Sequence, residues 1–291
     1  MTGFSKTNRV WLLASVIGTA AAVSACGGPV PMGANETGGA SGSNPGGSGG
    51  TISLGTASAA GSSASSGSGS AQSCDNTSTI TAVVRDFRGW TDDKGTKHPD
   101  FENGNWVVDR GIVKPDLGSD QKPVYANSGA TKTVSGADSF NQWYRDVDGT
   151  NMRFEIPLQL SPKPSDPSTK FFDSAAFFPI DGQGFGNQSQ SHNYSFTTEI
   201  HTKFTYKGGE TFKFVGDDDV FAFVNNKQVI DLGGIHVAQT GTVDMDAQAA
   251  SLGITKGQTY NMDIFHAERH ITQSNFHMET KFECLESYTI P

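Results

Sequence analysis

The chain has 291 residues, with 30 acidic and 21 basic side chains and a formal net charge of -9 at pH 7. Only Lys6, Arg9 and Glu36 are charged before residue 73, so nearly all of the acidity belongs to residues 73–291. An acidic segment lacks the basic face that a nucleic-acid partner requires, and we expect no such partner. The 19 phenylalanines favour a folded aromatic core over a disordered chain.

Residues 1–26 have the pattern of an export signal. Lys6 and Arg9 precede an apolar run at residues 10–22, which is too short to span a bilayer comfortably. The sequence VSACG, ending at Gly27, resembles a bacterial lipobox, in which the cysteine becomes the lipidated first residue. We therefore expect lipidation at Cys26 and an anchor in the outer membrane or at the cell surface. The alternative is an ordinary signal that is cleaved after Ala25.

Residues 27–72 consist largely of Gly, Ser and Ala, with almost no charged or aromatic side chains. No apolar core can form from this composition. We expect a disordered linker that acts as a flexible tether, which divides the chain into a signal (1–26), a linker (27–72) and one domain (73–291).

The three cysteines are Cys26, Cys74 and Cys284. If Cys26 is acylated, the other two remain as a pair, one at each end of the domain. Domain termini often lie close together, and an exported protein meets an oxidising environment. The sequence therefore predicts a disulfide between Cys74 and Cys284.

The first predicted strand covers residues 80–87, where β-branched residues dominate. Residues 91–137 are rich in Gly, Pro, Asp and Asn and predict long surface loops. We expect the apolar residues at 106–108 and 112–113 to anchor these loops to the core.

A short amphipathic helix is predicted next. Phe140, Trp143, Tyr144 and Val147 recur at helical spacing, and Asp138 is placed to cap the helix N-terminus. We expect these aromatic side chains to pack the helix on the sheet rather than to bind a ligand.

The remaining elements are mainly strands. Residues 152–160 alternate like a strand, and residues 161–170 predict a Pro-rich turn. The glycine-rich segment 181–187 predicts a tight loop, in which Asp181 and Asn187 are expected to bond their own backbone although either could be a ligand. Further strands are predicted at residues 194–206, 211–215, 220–225 and 228–232, a short helix or turn at 244–253, and a closing hairpin at 260–267 and 276–284.

The most informative stretch is residues 212–234, FKFVGDDDVFAFVNNKQVIDLGG. Apolar residues alternate on both sides of Asp217, Asp218 and Asp219, which predicts strands joined at the acidic triplet. Asn225-Asn226 suits a tight hairpin turn because asparagine tolerates positive φ. Three adjacent carboxylates repel one another unless a cation or arginines neutralise them, and calcium prefers such oxygen ligands. The alternative is an ordinary charged turn.

The segment GDDDVFAFVNNKQVIDLGGIH resembles the signature of the fibro-slime domain, a branch of the wider protective-antigen-type (PA-fourteen) β-domains. Residues 177–214 and 264–280 support the resemblance, which covers most of residues 80–283. It implies an all-β fold, an antiparallel β-sandwich of jelly-roll type with long loops and one or two short helices.

The resemblance also implies a site. In sugar-binding relatives, two consecutive aspartates joined by a cis peptide hold a calcium ion that coordinates sugar hydroxyls, and an asparagine completes the set. The matching residues are Asp217, Asp218 and Asn275. Asp219 stands where many members of the wider family carry glycine, so it could join the metal ligands and leaves open which adjacent pair is cis.

Residues beside the triplet also belong to the family pattern. Gly233, Gly234 and His236 are expected near the ligand, with His236 a structural hydrogen-bonding residue rather than a base. Glu268 and Arg269 of the AERH motif are expected to form ion pairs and loop hydrogen bonds.

A competing hypothesis concerns His266, Glu268 and His270, which alternate along a predicted strand and could form a zinc or iron site. Their spacing differs from the helical HExxH of metalloproteases, and no G-x-S-x-G nucleophile motif is present. We therefore expect a protein that is not an enzyme. It would be a surface-anchored, calcium-dependent lipoprotein that binds extracellular or cell-wall polysaccharide. The alternatives are a structural matrix protein without sugar binding and, less favoured, a polysaccharide hydrolase.

Overall fold

The computed structural model describes residues 79–90, 97–283 and 285–290. The signal, the linker and all three cysteines lie outside these residues, so the lipidation and the disulfide remain predictions. The described part contains the following elements: β1 Thr79–Phe87, α1 Ala137–Phe140, β2 Asn151–Gln159, β3 Ser161–Lys163, β4 Asp166–Ser174, β5 Phe196–Thr205, β6 Thr211–Gly216, β7 Asp219–Val224, β8 Lys227–Leu232, β9 Gln239–Asp244, α2 Met245–Leu252, β10 Thr259–Glu268, β11 Phe276–Thr280 and β12 Glu286–Tyr288.

The strands form two antiparallel sheets, which confirms the predicted all-β sandwich. The larger sheet has the order β2-β1-β5-β10-β7-β8, and β12 pairs with the second half of β5. The smaller sheet has the order β3-β4-β11-β6-β9. The helices are short, and within the described residues no helix is long and apolar enough to cross a membrane.

The main core lies between the two sheets. Phe212 and Phe214 of β6 meet Phe204 of β5 and Ile264 of β10 there, and all four side chains are almost fully buried. Alternation in β6 (FKF) therefore reflects one buried face and one partly exposed face.

A second apolar layer covers the opposite face of the larger sheet. It contains Phe101, Ile112 and Trp143 from the segment 97–147, which we call the outer layer, packed against Phe221 and Phe265. Strand β7 is consequently buried on both faces, which explains its unbroken apolar run VFAFV. The prediction that residues 112–113 anchor the loops is confirmed, whereas Trp106 is 64% exposed and does not anchor them.

The predicted helix from residue 138 onwards is shorter than expected. Helix α1 ends at Phe140, and no side chain caps its N-terminus at Gly136, so the assignment of Asp138 as N-cap was wrong. The Asn151 side chain bonds the backbone of Gln142, Arg145 and Val147. These backbone groups would otherwise pair within a longer helix, so the segment turns instead.

The Pro-rich segment 161–170 is not a simple turn. It contains β3 and the first half of β4, which pair with each other. Pro162 is tolerated because β3 is the edge strand of the smaller sheet, where a missing backbone N–H leaves no ladder bond unmade.

The predicted closing hairpin was also wrong. β10 lies between β5 and β7 in the larger sheet, whereas β11 lies between β4 and β6 in the smaller sheet. Residues 269–275 therefore cross from one sheet to the other. The β6–β7 connection makes the same crossing at residues 217–218, and hydrogen bonds join the two crossings.

Candidate functional site

The acidic triplet lies in the crossing between β6 and β7 and is buried. Asp217 and Asp218 are 3% and 4% exposed, and Asp219 is fully buried. The peptide bond between Asp217 and Asp218 is cis. The sequence alone left open which of the two adjacent aspartate pairs carries the cis bond. The triplet is therefore an internal cluster rather than a charged turn in solvent.

Asp217 is bound by the second crossing. Its Oδ1 accepts from the backbone N–H of Asn275 at 2.5 Å, and its Oδ2 accepts from the Asn275 side-chain amide at 2.7 Å. The structure thus brings together Asp217 and the asparagine that the resemblance paired with it. Because an amide exchanges its oxygen and nitrogen positions by rotation, the same side chain can also offer an oxygen there.

Asp218 accepts one backbone hydrogen bond from each side. The N–H of His236 donates to Oδ1 at 3.0 Å, and the N–H of Arg269 donates to Oδ2 at 3.1 Å. Burial nevertheless raises the pKa of Asp218 well above its usual value, against the opposing charge of Arg269. The positive charge of Arg269 therefore does not offset the effect of burial on the Asp218 carboxylate.

Asp219 has a different environment from the other two aspartates. Arg269 donates to its Oδ2 from Nε and Nη2, both at 2.6 Å, and the Gly234 N–H donates to its Oδ1 at 2.6 Å. Asp219 therefore belongs to a buried ion pair with Arg269. This differs from the expectation that Asp219 could be a metal ligand, because Arg269 already neutralises its carboxylate. The ion pair expected of Arg269 is confirmed.

The glycines that were expected near the ligand face the protein interior. Gly233 and Gly234 are buried. A Cβ on Gly234 would lie 2.3 Å from the carbonyl oxygen of Val107. Their role in this geometry is to let residues 107–109 approach closely, so direct ligand contact through them has no support here. The His236 ring bonds the carbonyl oxygens of Leu232 and Val237, both at 2.9 Å, in line with a structural role.

Glu268 accepts a hydrogen bond from the His270 N–H at 3.4 Å, in line with the loop hydrogen bonds expected of it. Its side chain is buried, and Oε2 has no hydrogen-bond partner among the described residues. Burial, and after it the nearby charges of Asp218 and Asp217, raise the pKa of Glu268 well above its usual value. The alternation behind the histidine hypothesis could not show this environment, because the end of β10 is buried on both faces and His270 lies beyond the strand.

The three residues of the competing metal hypothesis have separate partners. His266 Nε2 donates to the carbonyl oxygen of Asp217 at 2.7 Å, and burial lowers the pKa of His266 to about 4, which keeps the ring neutral. His270 Nδ1 lies 2.9 Å from Glu102 Oε1. Among the residues the structure describes, no three His, Cys, Asp or Glu side chains are arranged to hold a metal. A zinc or iron site at these positions therefore lacks support.

The donor set at the crossing nevertheless suits calcium. Two buried carboxylates and an amide side chain lie there, and Arg269 is already engaged with Asp219. All are hard oxygen donors, which calcium prefers. Because three acidic ligands are not assembled there, a cation would also draw on Asn275 and on backbone carbonyl oxygens.

Comparison with known proteins found similarity over the part of the chain that carries this site. Residues 173–287 match the model of the PA14 domain. Relatives from Dictyostelium discoideum include protein psiR, 35% identical over 72% of this chain and 22% of its own length, and protein psiC, 33% identical over 73% and 43%. Protein psiD is 42% identical over 62% of this chain and 38% of its own length. The chain thus spans less than half the length of these relatives.

Two solved structures are similar at low TM-scores. The PA14 domain of the MpAFP antifreeze protein gives a TM-score of 0.26 at 10% identity, covering 44% of this chain and 79% of that one. The PA14 sugar-binding domain from an RTX adhesin gives 0.24 at 13% identity, covering 42% and 75%. Scores this low carry no argument about the site.

Proposed function

We propose that this protein is a surface-anchored, calcium-dependent carbohydrate-binding or adhesion protein whose domain is of the fibro-slime type. The match of residues 173–287 to the PA14 domain supports the carbohydrate-binding class, since such domains occur in carbohydrate-binding proteins and adhesins. The fibro-slime assignment and the absence of catalysis rest on the sequence signature. The lipid anchor rests on residues 1–26 alone, because the relatives described above come from Dictyostelium discoideum.

The observation that carries this proposal is the buried carboxylate cluster at the two sheet crossings. Asp217 and Asp218 lie near enough to Glu268 for their charges to raise its pKa, and Arg269 is paired with Asp219. Buried carboxylates without compensating charge are costly, and a divalent cation would remove that cost.

Each side chain has a distinct part in the proposed site. Asp217 and Asp218 would hold the cation with Asn275, while the backbone N–H groups of His236 and Arg269 orient the Asp218 carboxylate. Bound calcium would offer open coordination positions to vicinal sugar hydroxyls. Asp219 and Arg269 keep the first residue of β7 fixed, which positions the aspartate pair.

A glycan array separates this function from its alternatives. The full chain is applied to glucose-, galactose-, mannose- and uronic-acid-containing glycans with calcium and again with a chelator. We expect binding that the chelator abolishes and that Asp217→Asn reduces strongly. Asp116→Asn, which removes a 63% exposed carboxylate, is the matched control.

The other outcomes are equally informative. If the chain binds calcium but binds no glycan on the array, a structural matrix protein is favoured. Binding that persists in the chelator would contradict calcium dependence. Release of sugar products that depends on His266 but not on Asp217 would indicate a hydrolase.

A further inference from the structure

A cleft of about 500 Å³ opens where the outer layer meets the end of β1 and the start of β2. Arg88 follows β1, residues 148–150 precede β2, and the outer layer contributes Lys97, His98 and Gln142. The lining shares no residue with the carboxylate cluster at the sheet crossings. The volume lies in the range that is typical of sites for small ligands.

The Arg88 guanidinium is held at this cleft by neutral groups. It lies 3.8 Å from the centre of the Phe185 ring, and its Nη1 donates to the carbonyl oxygen of Gly149 at 3.2 Å. Its charge reaches Asp86, but the Asp86 carboxylate bonds the Phe185 N–H and the Asn193 amide instead. A guanidinium stacked on a ring keeps its other N–H groups free in its own plane, where a pair of them can bind a carboxylate.

Lys97 adds a second positive charge to the cleft. Its Nζ donates to the backbone carbonyl oxygen of Glu102, which is a neutral acceptor. Burial lowers the pKa of Lys97, and the charge of Glu102 opposes this shift without cancelling it. Asp148 is the acidic residue among those that line the cleft, so two cations accompany one carboxylate in a protein with a formal charge of -9. A bound anion would stabilise both cations in their partly buried positions.

His98 brings a buried hydrogen-bond donor to the same cleft. It is 5% exposed, and its Nδ1 accepts from the N–H of Asp100 at 3.3 Å. Burial lowers the pKa of His98, so the ring is neutral, and its proton is on Nε2 because Nδ1 accepts. The Ser139 carbonyl and the Gln142 side chain oppose this pKa shift, yet Nε2 has no hydrogen-bond partner among the described residues. Buried donors are nearly always bonded, so a free one on a cleft lining indicates a ligand.

We propose that this cleft binds a hexuronate unit of an acidic polysaccharide through its carboxylate, without a metal ion. Arg88 would bind the carboxylate with its free N–H groups, and Lys97 would neutralise it. Sugar hydroxyls would donate to Asp148 and accept from His98 Nε2. The anionic class of the ligand follows from these charges, whereas the choice of a saccharide rests on the proposed function. The lining residues precede residues 173–287, so the match to the domain family does not assign them.

A chelator separates this cleft from the proposed calcium site. The full chain is titrated by calorimetry in the chelator with oligogalacturonate and with a neutral galactose oligosaccharide, and we expect only the uronate to bind. Arg88→Gln should weaken uronate binding roughly tenfold or more, because it removes charge-assisted hydrogen bonds. Lys97→Gln should weaken it as well, and it decides the question if Arg88→Gln does not fold. Arg110→Gln is the matched control, since it removes an exposed guanidinium that bonds Gln239.

The outcomes distinguish this inference from the proposed function. On the glycan array, neutral glycans test calcium dependence, whereas uronic-acid glycans that stay bound in the chelator report the cleft. If the wild type binds no uronate in the chelator, or if folded Arg88→Gln and Lys97→Gln bind it as the wild type does, the cleft is refuted and the proposed function stands. If neutral glycans do not bind in calcium but the uronate binds as expected, the proposed function fails and the cleft stands. Displacement of the uronate by an equal concentration of inorganic phosphate would show a general anion site and refute the saccharide.

Discussion

Arg269 connects three parts of the molecule at the scale of a single residue. Its Nε and Nη2 bind Asp219, and Nη1 donates to the carbonyl oxygens of Asp100 at 2.9 Å and Thr133 at 2.8 Å. Its guanidinium also lies 4.6 Å from the centre of the Trp143 ring. The outer layer, β7 and the second crossing are therefore fixed by one buried cation.

Replacing Arg269 by methionine should destabilise the protein by about 3–5 kcal/mol, because it leaves the buried Asp219 carboxylate without a positive charge to neutralise it. Denaturant unfolding measures the change. Arg145→Met is the control, since Arg145 pairs with Asp120 at a partly exposed position where such a pair contributes about 0–1 kcal/mol. Equal losses in the two variants would contradict the assigned role of Arg269.

A second buried polar cluster lies on the larger sheet, away from the site. His201 is fully buried between Glu199, 2.5 Å from Nε2, and Asp263, 2.7 Å from Nδ1. Arg85 and Lys122 also pair with Glu199. Burial alone lowers the pKa of His201, but the hydrogen bonds to Asp263 and Glu199 outweigh burial and raise it. Burial likewise opposes ionisation of Glu199, yet its cationic neighbours lower its pKa to about 2.

These shifts predict opposite pH dependences. The raised pKa of His201 means that its stabilisation is complete below about pH 6.5, the unfolded value, and is lost as pH rises through the folded value. The stabilisation from Glu199 is complete above about pH 4.5 and is lost as pH falls towards about 2.

We expect the stability difference between the wild type and His201→Gln, measured by urea unfolding between pH 5 and 9, to shrink as pH increases. His192→Gln is the control, because the His192 ring is 42% exposed and solvent screens its pairing with Asp181. A difference that stays constant over this range would show that the His201 imidazolium does not stabilise the fold.

At the scale of elements, Gly234 joins β8 to the loop that carries Trp106. Its φ is +112°, and a Cβ would meet the Val107 oxygen at 2.3 Å and the Asp109 nitrogen at 2.5 Å. Both obstacles are backbone atoms, so no side chain can move aside. The close approach holds residues 107–109 against residues 233–235.

Gly234→Ala should therefore cost on the order of 1–3 kcal/mol in stability from backbone strain alone. Thermal unfolding measures the change. Gly129→Ala is the control, since no atom lies within 4 Å of its added Cβ and its φ is not positive. A Gly234→Ala variant as stable as the wild type would argue against the close approach of residues 107–109 to Gly234.

Local patterns predicted some elements well. The strands β6 and β7 and the turn between β7 and β8 are confirmed. Asn225 and Asn226 have φ values of +49° and +63°, as such a turn requires. Helix α2 likewise carries its own signals, because Asp244 caps its start and Gly253 ends it in the left-handed conformation. Such features are set by a few adjacent residues and so are visible in sequence.

At the scale of the whole molecule, the site exists because two sheet crossings meet. The sequence identified Asp217, Asp218 and Asn275 through resemblance, but alternation could not show that β6 and β7 belong to different sheets. Sheet membership depends on pairing between distant segments, such as β6 with β9 and with β11. For the same reason the sequence missed β9, joined β10 to β11 as a hairpin, and gave no indication that Trp106 packs on His270.

Cation binding should also stabilise the whole fold. A ligand that binds only the folded state raises the free energy of unfolding. The increase is about 2.7 kcal/mol when the free ligand concentration is a hundred times Kd. We expect the melting temperature of the full chain to rise with added calcium and to fall back in a chelator. A melting temperature that does not change as calcium is added over the millimolar range would contradict a cation site in the folded domain.

Titration calorimetry of the full chain with calcium tests the central claim most directly. The account predicts saturable binding of one ion to the wild type and to Asp116→Asn, and severe loss in Asp217→Asn and Asp218→Asn. Absence of calcium binding by the folded wild type, or binding that survives both substitutions, would contradict it.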